Sequence, residues 1–352
     1  MTELAVLVSG GVDSSVALHL LASQWRGRLR AYYLEIWLED EMASLGRCPW
    51  QEDLSYVREV CAMAGVPLEV VSLQEEYHER VVASVLEELR AGRTPSPDLL
   101  CNRRVKFGAF REALGPGVEK VASGHHARVV RRQGHVHLHK GADPVKDQSY
   151  FLGLLDQSQL ERCVFPIGDL TKAEVRALAL DLGLPNASRP DSQGICFLGR
   201  VPFADFVSAH LGSRPGEIRE RSSGRALGRH RGAWFYTIGQ RRGLGLAGGP
   251  WYVVAKDLEE DVVWVCHQRD LTRFSRARFL VPEPSWVVRP PTGGRLDVRL
   301  RHGPATSACR LTVSPEGGLD VRLERPDPGV APGQFAIFYD GDECLGGGAI
   351  SL

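Results

Sequence analysis

The sequence predicts an α/β protein in which a Rossmann-like domain with a parallel sheet is followed by a small central domain and a C-terminal antiparallel β-barrel. In the first half, short apolar runs alternate with helical stretches, a pattern typical of a parallel sheet covered on both faces. After Cys196 the chain becomes rich in Arg and Gly, and from Trp251 it shows short β-patterned runs punctuated by prolines. At 352 residues the chain is also too long for one compact core.

These changes in composition divide the chain into three predicted domains, residues 1–199, 200–272 and 273–352. The formal net charge is zero, but the charge is unevenly distributed. Residues 1–100 carry sixteen acidic residues against eight Arg, whereas residues 200–242 carry nine Arg against three acidic residues. The basic segment is either a solvated surface or an RNA-contacting one, and composition leaves both open.

The predicted elements follow in order along the chain. In the first domain we expect strands at 4–8, 31–37 and 68–73 and a fourth ending at Ser123. The helices expected there cover 14–23, 51–64, 79–91, 104–114 and, after the capping box Thr171-Lys-Ala-Glu174, 172–182. The β-patterned runs of the second half are 251–254, 262–266, 296–300, 310–313, 319–323 and 335–339. Ligands of parallel sheets bind at the carboxyl ends of the strands, so candidate residues are sought there.

The phosphate loop, as we call residues 9–15, is the strongest motif. It reads Ser9-Gly-Gly-Val-Asp-Ser-Ser15 and connects the first strand to the first helix. Its glycines let the backbone approach an anion closely, and the positive end of the helix faces the same point. We expect Ser14 and Ser15 to cap the helix. No Lys follows the glycines, so the loop is not that of a GTPase or a γ-phosphate hydrolase.

Two of the eight cysteines stand in polar loop contexts rather than in apolar ones. Cys101 ends the string Pro95-Ser-Pro-Asp-Leu-Leu-Cys101, ahead of a helix expected to begin near Arg103, and a helix N-terminus favours the thiolate. Cys196 lies in Asp191-Ser-Gln-Gly-Ile-Cys-Phe197. No two cysteines are closer than 13 residues, which argues against a zinc ribbon or finger. The paired loop thiols suggest a sulfur relay.

The chain contains no apolar run near the ~20 residues that a membrane span needs. The first strand-like run begins at Leu4, which leaves no room for a signal or transit peptide. These two observations predict a cytoplasmic protein without a membrane partner.

Taken together, the motifs closely resemble the tRNA-specific 2-thiouridylase family of the ATP pyrophosphatase superfamily. The resemblance runs from SGGVDSS through PDLLCN, KDQSYFL, DSQGICF and TIGQRRGLG to PGQFAIFY and CLGGG. It implies an enzyme that 2-thiolates the wobble uridine of the tRNAs for lysine, glutamate and glutamine. It also implies the use of ATP and Mg²⁺, and a sulfur-carrier or cysteine-desulfurase protein as donor.

The resemblance also implies roles for individual residues. Cys196 matches the persulfide cysteine, Cys101 its nucleophilic partner, and Asp98 a residue beside the target base. The residues implied in ATP binding are Leu7, Val8, Ser9, Gly10, Gly11, Val12, Asp13, Ser14, Leu34 and Gly124. The residues implied in tRNA binding are Ser96, Pro97, Asp98, His125, Lys146, Asp147, Gln148, Arg301, His302 and Gln334. Ser96, Ile36 and His126 depart from the family pattern, which leaves the details of base contact open.

Three alternatives stay open at this point. Asp98, Cys101 and Cys196 are also plausible ligands for an iron–sulfur cluster that could hold sulfide in place of a persulfide. A synthetase that adenylates a small molecule would share the phosphate loop but have no use for paired loop cysteines. A non-catalytic RNA-binding protein with an inactive nucleotide fold would fail to bind ATP.

Overall fold

A parallel sheet forms the centre of the first half of the protein. The computed structural model describes residues 3–36, 49–115, 117–191, 202–291 and 293–352. The sheet has the order β3-β2-β1-β4-β7 with every neighbouring pair parallel. Its strands are β1 Glu3–Leu7, β2 Arg28–Glu35, β3 Leu68–Ser72, β4 Val118–Ala122 and β7 Cys163–Val164. The predicted parallel α/β architecture is therefore confirmed.

Helices flank this sheet, and four of the five predicted helices begin earlier than the sequence predicts. Helix α1, Val12–Gln24, begins at Val12 because Gly11 is its N-cap, and no side chain caps it. The helical run α4 begins at Pro97, since the fixed φ of proline suits the first helical turn.

The helices in chain order are α1, α2 Pro49–Ala64, α3 (Gln74–Tyr77, His78–Val82 and Ala83–Arg90), α4 (Pro97–Cys101, Asn102–Ala109 and Phe110–Ala113), α5 Ser149–Leu152, α6 Gln157–Leu160, α7 Lys172–Asp181, α8 Phe203–Leu211 and α9 Leu271–Phe274.

The predicted capping box is present at the start of α7. The Thr171 side chain accepts from the Glu174 N–H, and the Glu174 carboxylate accepts from the Thr171 N–H. Among the described residues, no helix is both long enough and apolar enough to cross a membrane.

Two further sheets follow in the second half of the chain. The central region contains a four-stranded sheet of order β10-β11-β8-β9, with β8 Gly216–Glu220, β9 Ala226–His230, β10 Trp251–Asp257 and β11 Val262–His267. The C-terminal sheet is antiparallel and has the order β12-β16-β15-β14-β17-β18-β6-β5. It consists of β12 Arg276–Val281, β13 Ser285–Trp286, β14 Arg295–Arg299, β15 Ser307–Val313, β16 Leu319–Asp327, β17 Phe335–Asp340, β18 Glu343–Ala349 and the hairpin β5 Ala127–Arg132 and β6 His135–Lys140.

The hairpin β5–β6 joins the first region to the C-terminal sheet, which the sequence pattern did not predict. Strand β6 pairs with β18 through Cys344 and Leu138. The largest apolar cluster crosses the same boundary, because Ile337 and Tyr339 of β17 pack with Leu138 and Leu152. The residues that lead from β6 towards α5 are therefore held by the C-terminal sheet.

Candidate active site

The phosphate loop lies at the carboxyl end of β1, as expected for a ligand site in a parallel sheet. Its hydroxyl groups bond within the loop: Ser14 Oγ lies 3.2 Å from the Ser9 nitrogen and 3.0 Å from the Gly11 carbonyl oxygen. Ser15 Oγ donates to the same Gly11 oxygen. These two serines therefore shape the loop from within α1 rather than capping the helix, and that part of the prediction is wrong.

Gly124 follows β4 and packs against the loop more closely than any other residue type would permit. A Cβ atom at this position would lie 2.6 Å from the Ser14 nitrogen and 2.8 Å from its Cα. The site that the sequence assigned to ATP therefore combines two adjacent strand ends. Leu7 and Val8 are buried there, the Val8 N–H donates to the Tyr32 carbonyl oxygen, and Leu34 lies near the end of the neighbouring β2.

Asp13 lies in the first turn of α1 and contacts two basic side chains. Lys172 Nζ is 2.5 Å from its Oδ1, and His126 Nε2 is 3.6 Å from the same oxygen. Burial by itself raises the pKa of Asp13, but hydrogen bonding and charge from His126 and Lys172 outweigh it, so the pKa is lowered. Asp13 is therefore an anion at neutral pH, beside the loop.

Lys172 connects Asp13 to a second carboxylate, Asp191. Asp191 binds Lys172 at 2.8 Å, Lys146 at 2.6 Å and Arg176 at 2.7 Å. Burial opposes the shift, but hydrogen bonds from Lys146 and Lys172 lower the pKa of Asp191 to about 2. Neither Lys172 nor Asp191 is predicted from the sequence as a site residue, although Lys172 stands in the capping box and Asp191 opens the string that contains Cys196.

A composite cavity of about 320 Å³ lies beside α4 and is the second part of the candidate site. It brings together six residues that were predicted to contact tRNA, namely Ser96, Pro97, Asp98, Arg301, His302 and Gln334. The rings of Phe151 and His302 stack there with centroids 4.5 Å apart. Its remaining lining residues are Leu89, Arg93, Thr94, Pro95, Leu99, Tyr150, Phe203, Trp234, Phe235, Tyr236 and Thr237.

The central region therefore supplies one wall of this cavity, from Trp234 to Thr237. The motif TIGQRRGLG, which begins at Thr237, was recognised in the sequence, but Trp234 and Phe235 just before it were missed. The aromatic composition was the available signal, since single-stranded bases stack on such side chains.

Cys101 lies one helical turn after Asp98 on α4, so the two residues share a face of the helix. The sequence predicts that the Cys101 thiol lies ahead of the first residue of the helix. This prediction is wrong, because α4 begins at Pro97 and the thiol lies within the helix. It is also almost completely buried, with 1% of its surface exposed. Cys196 lies outside the described residues, so its proximity to Cys101 stays a prediction.

The segment 146–148, which is predicted to contact tRNA, has all three side chains paired within the protein. The Asp147 carboxylate is buried and accepts from Arg299, from Ser149 and from the Gly141 N–H, and its contact with tRNA stays a prediction. Lys146 is paired with Asp191, and Gln148 Oε1 accepts from the His126 N–H at 2.9 Å.

His125 is a neutral, packed side chain. Its ring lies against Phe107 and Phe165, and Nδ1 is 2.8 Å from Ser123 Oγ. Burial lowers its pKa to about 3, so any contact with RNA is not an ionic one at neutral pH.

The described residues contain no group of three or more His, Cys, Asp or Glu side chains arranged to hold a metal ion. Asp13 remains suited to Mg²⁺ that arrives with a nucleotide, because Mg²⁺ commonly takes one or two carboxylates and completes its shell with phosphates and water. Asp98 and Cys101 have a spacing that suits two ligands of a cluster.

Three family models together match most of the chain. Residues 2–200 match the tRNA methyl transferase HUP domain, residues 204–267 the tRNA methyl transferase PRC-barrel domain and residues 276–350 the aminomethyltransferase β-barrel domain. A phosphate loop at the strand ends of a HUP domain defines the protein as one of the ATP-using, phosphate-loop class.

Comparison with individual proteins narrows this class. The chain is 40% identical over 356 residues to the tRNA-specific 2-thiouridylase MnmA 1 of Bacteroides thetaiotaomicron, covering 99% of both chains. It is also 40% identical over 357 residues to MnmA of Parabacteroides distasonis, covering 99% of this chain and 98% of that one. The chain belongs to the tRNA-specific 2-thiouridylase family. The solved structure of the U34-tRNA thiolase NcsA from Methanococcus maripaludis is 17% identical over 59% of this chain and 66% of its own, with a TM-score of 0.36, too distant to carry an argument.

Proposed function

We propose that this protein uses ATP to replace the C2 oxygen of the wobble uridine, position 34 of tRNA, with sulfur. The products are 2-thiouridine, AMP and pyrophosphate. The observation that carries the proposal is the composite cavity, in which Asp98, Arg301 and Gln334 come together from distant parts of the chain. The tRNAs for lysine, glutamate and glutamine are the proposed substrates, and a cytoplasmic location suits them.

The first proposed step activates the base. The uridine leaves the anticodon stack and enters the cavity beside Asp98, where the Phe151–His302 pair offers an aromatic surface. Its C2 oxygen attacks the α-phosphate of ATP, and the phosphate loop holds the leaving pyrophosphate through backbone N–H groups. Asp13 would hold Mg²⁺, which would supply neutralising charge to the phosphates. Lys172 places a further positive charge at the same point.

The second proposed step transfers sulfur. The terminal sulfur of a Cys196 persulfide attacks C2, and AMP leaves with the former C2 oxygen. The Cys101 thiolate then attacks Cys196 Sγ, which breaks the S–S bond, leaves sulfur on C2 and forms a Cys101–Cys196 disulfide. Alternatively, Cys101 releases sulfide first and the sulfide attacks C2. Both routes end in the same disulfide, so an external thiol must reduce it, and a protein persulfide from a sulfur carrier or a cysteine desulfurase must reload Cys196.

An iron–sulfur cluster held by Asp98, Cys101 and Cys196 is the alternative means of carrying sulfide. The spacing of Asp98 and Cys101 on one helix face supports it. Iron analysis and an absorption spectrum of anaerobically purified protein distinguish the two: stoichiometric iron would favour the cluster, and iron-free protein that still thiolates tRNA would favour the persulfide.

The test of the function is a mercury-affinity gel, which retards thiolated tRNA, combined with an assay of pyrophosphate release. We expect thiolation by the wild type with a persulfide donor and pyrophosphate release that depends on added tRNA. The Cys101→Ala and Cys196→Ala variants should lose thiolation yet still release pyrophosphate. Pyrophosphate release without tRNA would point to a small-molecule synthetase, and a protein that does not bind ATP would point to a non-catalytic RNA-binding role.

A further inference from the structure

The segment 186–191 packs directly on the phosphate loop, through side chains that the proposed chemistry does not use. Asn186 Nδ2 donates to the Gly10 carbonyl oxygen at 2.8 Å and lies 2.9 Å from Ser15 Oγ. Arg189 Nη1 donates to the same Gly10 oxygen at 3.0 Å. One carbonyl of the loop is therefore held by two donors from a segment more than 170 residues away in the sequence.

Holding this carbonyl determines where the next N–H points. In a planar trans peptide the C=O and the following N–H point in opposite directions. Because the Gly10 oxygen is turned towards Asn186 and Arg189, the Gly11 N–H is turned away from them. Gly10 itself has a φ of +74°, a left-handed conformation that glycine adopts without steric cost. A carbonyl released from these donors and turned towards a bound phosphate would repel it.

Arg189 is in turn fixed by helix α2. Its guanidinium forms an ion pair with Asp53 and lies over the Tyr56 ring, 5.0 Å from the centroid. The arginine side chain is 18% exposed and Asn186 is 1% exposed, so neither is a surface group with free rotation. A planar guanidinium can serve a carboxylate and a carbonyl at once, whereas a lysine ammonium lacks that rigid fork.

We propose that Asn186 and Arg189 are positioning residues for the phosphate loop, which hold the Gly10 carbonyl so that the Gly11 N–H faces the pyrophosphate portion of ATP. The proposal rests on the proposed function in one respect, namely that this loop binds the β and γ phosphates. It adds that the loop depends on these two side chains for its shape. ATP should therefore need both residues, whereas AMP, which lacks the two outer phosphates, should not.

The experiment measures the Kd of ATP and of AMP by calorimetry on the full-length protein, for wild type, Asn186→Leu, Arg189→Met and Arg189→Lys. We expect ATP to bind roughly tenfold more weakly to Asn186→Leu and Arg189→Met, the size of effect that follows from losing a well-placed hydrogen bond. AMP binding should change less than about twofold, so the ratio of the two affinities falls. Arg189→Lys should recover only part of the loss, because the charge remains but the fork does not.

The matched control is Arg128→Met. Arg128 also donates to a backbone carbonyl, that of Lys140 at 2.8 Å, but it lies on β5 away from the loop. Its removal should leave both affinities unchanged. Equal losses of ATP and AMP affinity in the Asn186 and Arg189 variants, or full recovery by Arg189→Lys, would overturn the positioning role. A thermal melt of each variant distinguishes loss of folding from loss of ATP binding. Arg189→Lys can still form the ion pair with Asp53, so this variant is expected to stay folded. Wild-type protein that shows the ATP-over-AMP preference but fails to thiolate tRNA would sink the proposed function and leave this inference standing.

Discussion

The phosphate loop occupies seven consecutive residues that run from just after one strand into the first turn of one helix, whereas the composite cavity takes its lining from residues 89 to 334. The loop owes its position to β1 and to the close approach of Gly124. The cavity exists only where α4, the central region and the C-terminal sheet meet. Because the loop and the cavity depend on different parts of the chain, nucleotide binding and tRNA binding should respond to different substitutions. The following substitutions test that separation.

The largest effect should come from the buried ion pair between Arg299 and Asp147, which joins the C-terminal sheet to the segment before α5. Arg299→Met leaves the Asp147 carboxylate buried without its cation, which costs about 3–5 kcal/mol of unfolding free energy. Urea unfolding of the full chain measures this loss of unfolding free energy.

The control for Arg299 is Arg278→Met on the same sheet. Arg278 pairs with Asp320 at 2.6 Å, but its side chain is 70% exposed. Surface pairs contribute about 0–1 kcal/mol, so this variant should stay close to wild type. If both variants lose the same stability, the contact between the C-terminal sheet and the segment before α5 does not depend on the buried pair.

The next effect concerns the loop alone. Gly124→Val places a side chain against the backbone of Asp13 and Ser14, so the loop must move. We expect ATP affinity to fall about a hundredfold, the upper part of the range for severe local disruption at 1.4 kcal/mol per factor of ten. The affinity for tRNA should persist. Equilibrium dialysis with labelled ATP and filter binding with tRNA give the two values.

Gly115→Ala is the control for Gly124, because no atom lies within 4 Å of the Cβ that it would add. It should leave both affinities unchanged. A Gly124→Val protein with normal ATP affinity would contradict the assignment of this strand end to the nucleotide.

A smaller effect is expected on the cavity side. His302→Ala removes the ring that stacks on Phe151. If bases stack on this pair, the KM for tRNA should rise about tenfold, since base–aromatic stacking contributes about 1–3 kcal/mol. The Kd of ATP should not change. An equal effect on both ligands would show that the two regions are not separable, and His302→Phe should restore most of the tRNA affinity.

A further prediction concerns pH and His125, whose ring packs against Phe107 and Phe165. Its pKa in the folded protein is about 3, below the ordinary value of about 6.5, so between these values the unfolded chain binds a proton that the folded one does not. Stability should therefore fall as the pH drops below about 6.5, by at most about 1.4 kcal/mol per pH unit from this group.

Urea unfolding at pH 7 and pH 5 tests this, with His125→Asn expected to lose less stability over that interval than the wild type. The exposed His135→Asn serves as the comparison variant. Identical pH dependence of wild type and His125→Asn would mean that His125 takes up its proton equally in both states.

Sequence patterns located most of the first region because each of its features is local. Alternating apolar runs and helical stretches predicted four of the five parallel strands to within a few residues but not the two-residue β7, and the phosphate loop was recognisable from seven letters. The hairpin β5–β6 was missed because its alternating residues, such as His135, His137 and His139, resemble a polar loop until β18 is placed beside β6. The sequence predicts too late a start for α4 because Pro95 and Pro97 are typical of a loop, whereas Pro97 opens the helix.

The sequence by itself determined the fold class, the phosphate loop and the family to which the chain belongs, because these depend on residues adjacent in the chain or on long ordered motifs. Only the tertiary structure decided that Asp147 is a buried partner of Arg299, that Lys172 joins Asp13 to Asp191 and that Arg189 holds the Gly10 carbonyl. The physical reason is that burial and ionic contact depend on which distant segments fold together, and no periodicity along the chain records that pairing.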